Sequence, residues 1–267
     1  MVRLLKIELR KALSSKTFWI LSGLYMLVIA TVLFGVQGFL DNIVSSTGND
    51  SPVDIPSVSV YRLPDIWHNL TFIAGFFKII LAVIIIITIT NEYAYKTIRQ
   101  NIIAGLSRAD FLKSKVLFIF LISLSATVLL LILGLILGFI NTIQPDFSGI
   151  TEKMIFLPAY LLEVFSYLCF AFMVGFLVKR SGIAIGLMLL YAFIIEPVIN
   201  YRLPSGFEGY MPLKSINNLI DIPNTALMQL FGVQFRNYIS LSDVILVLAY
   251  TTLFLLISHL VLKKRDL

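Results

Sequence analysis

The sequence has few of the residues that catalysis and oxidative folding use. Cys169 is the one cysteine among 267 residues, so no intrachain disulfide can form. The two histidines, His68 and His259, are far apart in the chain, whereas a metal site needs several ligands close together. The motifs of phosphate-binding loops, zinc proteases and serine hydrolases are missing. We therefore expect no metal or cofactor on this chain and no hydrolysis by this chain alone.

Charged residues are also scarce. Asp, Glu, Lys and Arg make up 13% of the chain, 58% of the residues are hydrophobic, and the mean hydropathy is +0.93. Soluble domains are typically about 45–50% apolar and about 25% charged. This composition excludes a disordered chain, a coiled coil and an average soluble enzyme, and it predicts a polytopic membrane protein.

Six apolar stretches are long enough to cross a bilayer, because a spanning helix needs roughly 20 largely apolar residues. The β-branched run 79–90 would favour a strand in water, but an open strand cannot satisfy its backbone in lipid. The predicted fold is therefore a single all-α membrane domain covering residues 1–267. Its spans are predicted at about 18–40, 67–90, 116–140, 155–178, 183–200 and 244–262.

Basic residues concentrate on one set of connecting segments. With both termini inside, the inner segments 1–17, 91–115, 179–182 and 263–267 hold 15 of the 21 Lys and Arg residues. This bias predicts a cell (inner) membrane protein with cytoplasmic N- and C-termini. The net charge of +6 then reflects orientation and lipid headgroups and does not indicate a nucleic-acid partner.

Three segments outside the spans have patterns of their own. Residues 1–17 place apolar side chains at helical spacing among basic ones, which predicts an interfacial helix. Residues 91–111 predict a short helix that Gly105 ends, with Ser107 and Asp110 capping the next helix. Residues 201–241 contain two moderately apolar runs, 213–222 and 225–235, which predict re-entrant or interfacial helices.

Three ionisable residues fall inside predicted spans, where charge is costly and often functional. They are Lys78, Glu163 and Glu196, and Pro197 next to Glu196 favours a kink. One interpretation is a polar translocation path or charge pairs across a subunit interface. The other is a structural pair between helices.

The segment between the second and third spans carries a family resemblance. Glu92 is followed by Lys96-Thr97-Ile98-Arg99 and then by Ser107-Arg108-Ala109-Asp110-Phe111-Leu112-Lys113-Ser114-Lys115. With the interfacial helix and six spans, this pattern resembles the ABC-2 type permease family, the membrane subunits of type V ABC exporters. The chain departs from the family at Lys96, where glycine is usual, and at Lys78.

The resemblance implies a half-transporter. Two permease copies, or this chain and a paralogue, would pair and bind two separate ABC ATPase subunits that hold ATP and Mg. The segment after the second span would be the coupling helix that docks on the ATPase, and the outer helices would close the exit. The residues that match the coupling region are Glu92, Thr97, Ile98, Arg99, Ile102, Gly105, Ser107 and Arg108.

Other functions stay open at this point. A stand-alone secondary transporter or channel would use paired discontinuous spans with internal symmetry. An intramembrane enzyme would need convergent catalytic groups. The substrate is open because one fold serves many substrates, although the apolar interior favours an amphiphile. A mechanical role on a partner protein is a further alternative.

Overall fold

The computed structural model describes residues 2–47, 61–103, 105–142, 150–204, 207, 209–223 and 236–264, and all regular secondary structure in these ranges is helical. Five helical segments there are long and apolar enough to cross a membrane, and one bent helix pair would add a sixth. The fold is that of an all-helical polytopic membrane protein, as the composition predicts.

The chain begins with two helices that meet at an elbow. Helix α1 covers Val2–Leu13, and helix α2 covers Lys16–Thr47, of which the first 21 residues form the spanning part. The Trp19 indole N–H donates to the Leu13 carbonyl at 2.8 Å across this elbow. Helix α1 coincides with the interfacial helix predicted at 1–17.

The second predicted span consists of two helices that meet at a bend, whereas the sequence predicts one continuous helix. Helices α3 (Ile66–Gly75) and α4 (Lys78–Ala94) meet at an angle of 45°. Gly75 allows the break to lie against the Glu163 carboxylate, because a Cβ there would come within 3.1 Å of Oε1. The continuous helix expected over 67–90 is therefore corrected to a bent pair.

The segment after α4 turns twice before the third span. Lys96 has φ +56°, helix α5 covers Thr97–Ile103, and Gly105 has φ +92°. Helix α6 then covers Arg108–Asn141, and the Ser107 hydroxyl accepts the Asp110 N–H at 3.0 Å. The predicted helix end at Gly105 and cap at Ser107 are confirmed.

Helix α7 covers Phe156–Val178 and lies at the centre of the bundle. About 67% of its most apolar stretch is buried, against 17% for the spanning part of α2. Helix α7 contacts both halves of the bent pair, α6 and the last helix. It ends at Lys179, which has φ +62°.

The fifth span contains a widened turn. Helix α8 covers Ser181–Leu190, a π-helical turn covers Tyr191–Ile195, and helix α9 covers Glu196–Arg202. Pro197 lacks an N–H and its ring crowds the preceding turn. The Glu196 N–H bonds five residues back to the Tyr191 carbonyl, so the disturbance predicted from Pro197 takes the form of a π turn.

Two more helices complete the described chain. Helix α10 covers Pro212–Asn217, shorter than the 213–222 run had indicated, and helix α11 covers Leu241–Lys264. The second predicted outer helix, 225–235, lies outside the described residues.

Contacts along α6 define the two ends of the bundle. At its start, Lys115 bonds to Glu8 of α1, and Arg108 bonds to the Leu262 and Lys263 carbonyls of α11 at 3.0 and 2.6 Å. At its other end, the Thr142 hydroxyl accepts the Leu63 N–H at 3.1 Å. The bent pair α3–α4 therefore begins beside the end of α6 and finishes beside its start. We call the end of the bundle that contains Lys115 and Arg108 the α1 end, and the end that contains Thr142 the opposite end.

Candidate functional site

A cluster of four charges joins three helices at the α1 end. It consists of Glu8 and Lys11 of α1, Glu92 at the end of α4 and Lys115 of α6, and we call it the α1 cluster. The Lys115 ammonium lies 2.5 Å from both carboxylates. Lys11 lies 3.1 Å from Glu92 and 3.4 Å from Glu8. The cluster fixes α1 against the helices on either side of α5.

The α1 cluster is buried and electrically neutral. Glu8, Glu92 and Lys115 are almost fully buried, whereas the Lys11 side chain is 39% exposed. Removing one partner from such a buried pair leaves an uncompensated charge and costs about 3–5 kcal/mol. Burial lowers the pKa of the Lys11 ammonium, but the Glu92 and Glu8 carboxylates outweigh it and hold the pKa above its usual value.

The predicted coupling residues divide between buried and capping roles. Ile98 is only 2% exposed and belongs to the core, and the Thr97 hydroxyl donates to the Glu92 carbonyl at 3.3 Å. Glu92 lies in the α1 cluster, and Arg108 caps the end of α11. The side chains of Arg99 and Ile102 lie outside the described part of the structure.

Different residues form the exposed surface beside α5. Tyr95 is 72% exposed and Ile103 is 76% exposed, on either side of the buried Ile98. Gly105 and Ser107 are exposed on the same segment. Large apolar or aromatic side chains that are exposed, as these are on either side of α5, can serve as anchors for a partner surface. Tyr95 and Ile103 were not among the residues predicted from the motif.

A second group of polar side chains lies toward the opposite end. The Lys78 ammonium at the start of α4 donates to Glu163 of α7 and, at 2.7 Å, to the Asn217 side-chain oxygen of α10. The same ammonium lies 5.3 Å from the centre of the Tyr167 ring. We call Lys78, Glu163 and Asn217 the α10 cluster.

Glu196 holds the same short helix from its other end. Its carboxylate accepts the Leu213 N–H at 3.1 Å and also the Lys214 N–H, which are two of the first free N–H groups of α10. Lys78, Glu163 and Glu196 therefore converge on α10, although Glu196 does not pair with the other two. Lys78 and Glu163 therefore form the structural pair between helices that was one of the two interpretations of these residues.

Three further hydrogen bonds fix the segment around α10. A His68 ring nitrogen lies 2.8 Å from the Asp221 carbonyl, and the Arg236 guanidinium donates to the Asn218 carbonyl at 2.7 Å. The Tyr250 hydroxyl donates to the Tyr210 carbonyl. Residues 209–223 are thus held by five side chains, which are His68, Lys78, Glu196, Arg236 and Tyr250. A cavity of about 240 Å³ is lined by the three residues of the α10 cluster.

Helix α4 connects the two clusters. Lys78 stands at its first residue and Glu92 near its last turn. Fourteen residues at 1.5 Å rise separate them by about 21 Å along one uninterrupted helix. A displacement of Glu92 along the helix axis would therefore reach Lys78 and its contact with α10.

Comparison with known proteins gives one family match. Residues 49–267, from before the bent pair to the last residue, match the family model described as "Protein of unknown function (DUF2705)". The chain belongs to this family. No curated protein matches the sequence of this DUF2705 member.

Several site residues of this DUF2705 chain were missed from the sequence. Glu8 is the sole acid in the basic segment 1–17 and lies near the stripe of Leu5, Leu9 and Ala12, which was the available signal. Asn217 gave no signal, because an isolated Asn in an outer segment is ordinary. Among the described residues, no three His, Cys, Asp or Glu side chains come together as a possible metal site.

Proposed function

We propose that this chain is the membrane subunit of an ATP-driven ABC exporter, with ATP hydrolysed on separate subunits. The observation that carries the proposal is helix α4. At one end it is fixed by the α1 cluster and leads into the exposed turn before α5, and at the other end it contributes Lys78 to the α10 cluster. The missing nucleotide motif and the resemblance over residues 91–115 support the same function.

In this proposal the α1 end faces the cytoplasm of a cell whose inner membrane holds the protein. An ATPase subunit binds Tyr95 and Ile103, and the α1 cluster transmits its movement to α1, α4 and α6. Glu92 and Ile98 hold the turn in place and do not touch the partner, because both are buried. The charge pattern of the connecting segments supports this orientation.

At the opposite end, movement of α4 would withdraw Lys78 from Asn217. Helix α10 would then lose one of its side-chain contacts and could move away from Lys78 and Glu163. Such a device has two discrete arrangements, which is what a driven switch needs. The substrate class we propose is an amphiphile, since apolar helices enclose a small number of polar groups.

The proposed assembly has two permease copies, or this chain and a paralogue, and two ATPase subunits. Only 17% of the most apolar stretch is buried in each of two spans, Lys16–Val36 and Ser181–Arg202. These faces are available to lipid and to a second copy. A six-span count, with α3–α4 crossing as one bent span, gives both termini the same side.

The test is to search the genes beside this one for a soluble ABC ATPase and to co-purify that ATPase with the full-length chain. We expect a stable complex whose ATPase activity depends on the chain. Ile103→Asp should weaken association about tenfold, because it places a charge in an apolar anchor. Tyr201→Asp is the matched control, since Tyr201 is 88% exposed at the opposite end. Association that Ile103→Asp leaves unchanged would contradict the docking surface.

One observation favours a second candidate, a stand-alone secondary transporter. The bent pair α3–α4 breaks next to Lys78, and discontinuous spans often carry substrate sites in such transporters. Reconstitution in liposomes separates the two functions. Uptake driven by an ion gradient without any ATPase would favour this candidate, and uptake that requires the ATPase would favour the exporter.

A further inference from the structure

A cavity of about 440 Å³ opens at the elbow between α1 and α2, on the side of α4. Its volume lies within the range of about 300–1,000 Å³ that small-ligand sites occupy. It lies at the α1 end, away from the α10 cluster, and shares Tyr95 with the proposed docking surface but not Ile103.

The lining of this cavity becomes more apolar along α2 and α4, away from the elbow. Ser14, Ser15 and Asn91 line it at the level of the elbow, and Leu21 and Ile84 line it further along α2 and α4. Ile84 and Asn91 are seven residues apart on one helix, which is about 10 Å. That is the gradient a lipid meets between its headgroup and its first chain carbons.

The mouth of the cavity is basic. Lys11 lines it, and a neighbouring recess that shares Lys11 and Ser14 is lined by Lys6 and Arg10. Glu92 also lines the cavity, but the two lysines of the α1 cluster already balance Glu8 and Glu92. The surplus charge at the mouth is therefore positive and favours an anionic group.

We propose that this cavity binds one anionic phospholipid of the leaflet next to α1, with its phosphate on Lys11 and its chains along Leu21 and Ile84. An amphipathic basic helix in the interface is where anionic headgroups concentrate. The elbow adds to that general attraction a concave site with hydroxyl and amide groups. The proposal needs no ATPase partner, so its failure and that of the transport function are separable.

Lys11 can serve the phosphate without dismantling the α1 cluster. It lies 3.1 and 3.4 Å from the carboxylates, while Lys115 holds both of them at 2.5 Å. A bound phosphate would share Lys11 with the two carboxylates while Lys115 stays in place, and the surplus charge of Lys6 and Arg10 beside it would offset the added negative charge. Lipid binding would thereby alter how tightly α1 holds the end of α4.

The experiment is native mass spectrometry of the full chain after exchange into phosphatidylglycerol or phosphatidylcholine vesicles. We expect one retained phosphatidylglycerol per chain and no retained phosphatidylcholine. Lys11→Met should reduce the retained fraction about tenfold, because it removes a charge-assisted bond to phosphate. Lys16→Met is the matched control, since Lys16 is exposed at the start of α2 and outside the cavity lining.

A second variant keeps the test decisive if Lys11→Met does not fold. Thr88→Phe fills the cavity, and the hydroxyl that it removes bonds, within the described part of the chain, only to the Ile84 carbonyl of its own helix. It should abolish retention. Equal retention of both lipids, or equal loss in Lys16→Met, would overturn the site. Displacement of the lipid by excess inorganic phosphate would overturn the lipid as occupant and leave an anion site.

Discussion

At the scale of single residues, two lysines adopt a backbone conformation that favours glycine. Lys96 has φ +56° before α5, and Lys179 has φ +62° at the end of α7. A non-glycine residue in this region costs about 1–3 kcal/mol. Glycine would adopt either conformation without this cost, because it has no Cβ.

We therefore predict that Lys96→Gly stabilises the protein by up to about 1 kcal/mol, after subtracting the entropy that glycine adds to the unfolded chain. Lys179→Gly should increase the free energy of unfolding by less. The Lys179 ammonium lies 5.4 Å from the centre of the Tyr93 ring, and such a contact is worth about 0.5–1 kcal/mol. Thermal unfolding midpoints in detergent would measure both. A lower midpoint for Lys96→Gly would refute the strain argument.

At the scale of elements, α10 is too short to be stable alone. It has six residues, and isolated helices shorter than about 12–15 residues are marginal in water. Its position depends on side chains of other elements: Glu196 at its N-terminus, Lys78 at Asn217, and His68, Arg236 and Tyr250 on the segment around it. This dependence makes α10 an element that a small displacement elsewhere can release.

We predict that Glu196→Gln loosens α10 and lowers transport while the protein still accumulates in the membrane. Hydrogen bonds to a charged group contribute about 1.5–3 kcal/mol, so the open population should rise about tenfold or more. The open population can be measured as the rate at which a maleimide labels Ser215→Cys, a buried position on α10. The background for this measurement is Cys169→Ser, which removes the native thiol.

Glu152→Gln is the control for that measurement, because Glu152 is an exposed carboxylate near the start of α7. It should leave the labelling rate as it is in the parent. Equal labelling rates in Glu196→Gln and the parent would show that the carboxylate does not hold α10. Unchanged transport in Glu196→Gln would show that Glu196 does not take part in opening the proposed exit.

At the scale of the whole molecule, the bonds from Arg108 to the end of α11 and from Lys115 to α1 place both ends of the described chain together. The proposed orientation assigns this end to the cytoplasm. A cytoplasmic position for both ends requires that the bent pair α3–α4 cross the membrane as one span, because five other crossings alone would place the ends on opposite sides.

Single cysteines in a Cys169→Ser background would decide this in intact cells. We predict that an impermeant maleimide labels Arg62→Cys and Glu152→Cys, and labels Tyr95→Cys and Lys113→Cys only after permeabilisation. All four parent residues are exposed. Labelling of Arg62→Cys and Tyr95→Cys from the same side would contradict a sixth span.

The helices were predictable from the sequence because hydropathy averages over about 20 residues and needs no knowledge of neighbours. The span predicted at 155–178 agrees with α7 at Phe156–Val178. The close approach of Gly75 to the Glu163 carboxylate at the bend was not predictable in this way, because Glu163 belongs to another helix. Lys78 and Glu163 were recognised singly, but their pairing is a tertiary contact across 85 residues. The burial of Ile98 depends in the same way on neighbouring helices.

The bond between Lys115 and Glu8 has a consequence for how the protein is assembled during synthesis. These residues are 107 positions apart. At about 5–20 residues per second, roughly 5–20 seconds pass between their emergence from the ribosome. During that interval α1 must rest on the membrane surface with Glu8 facing lipid headgroups and solvent. Glu8 gains its partner only when Lys115 has been synthesised, so α1 takes its final position after α6 has entered the membrane.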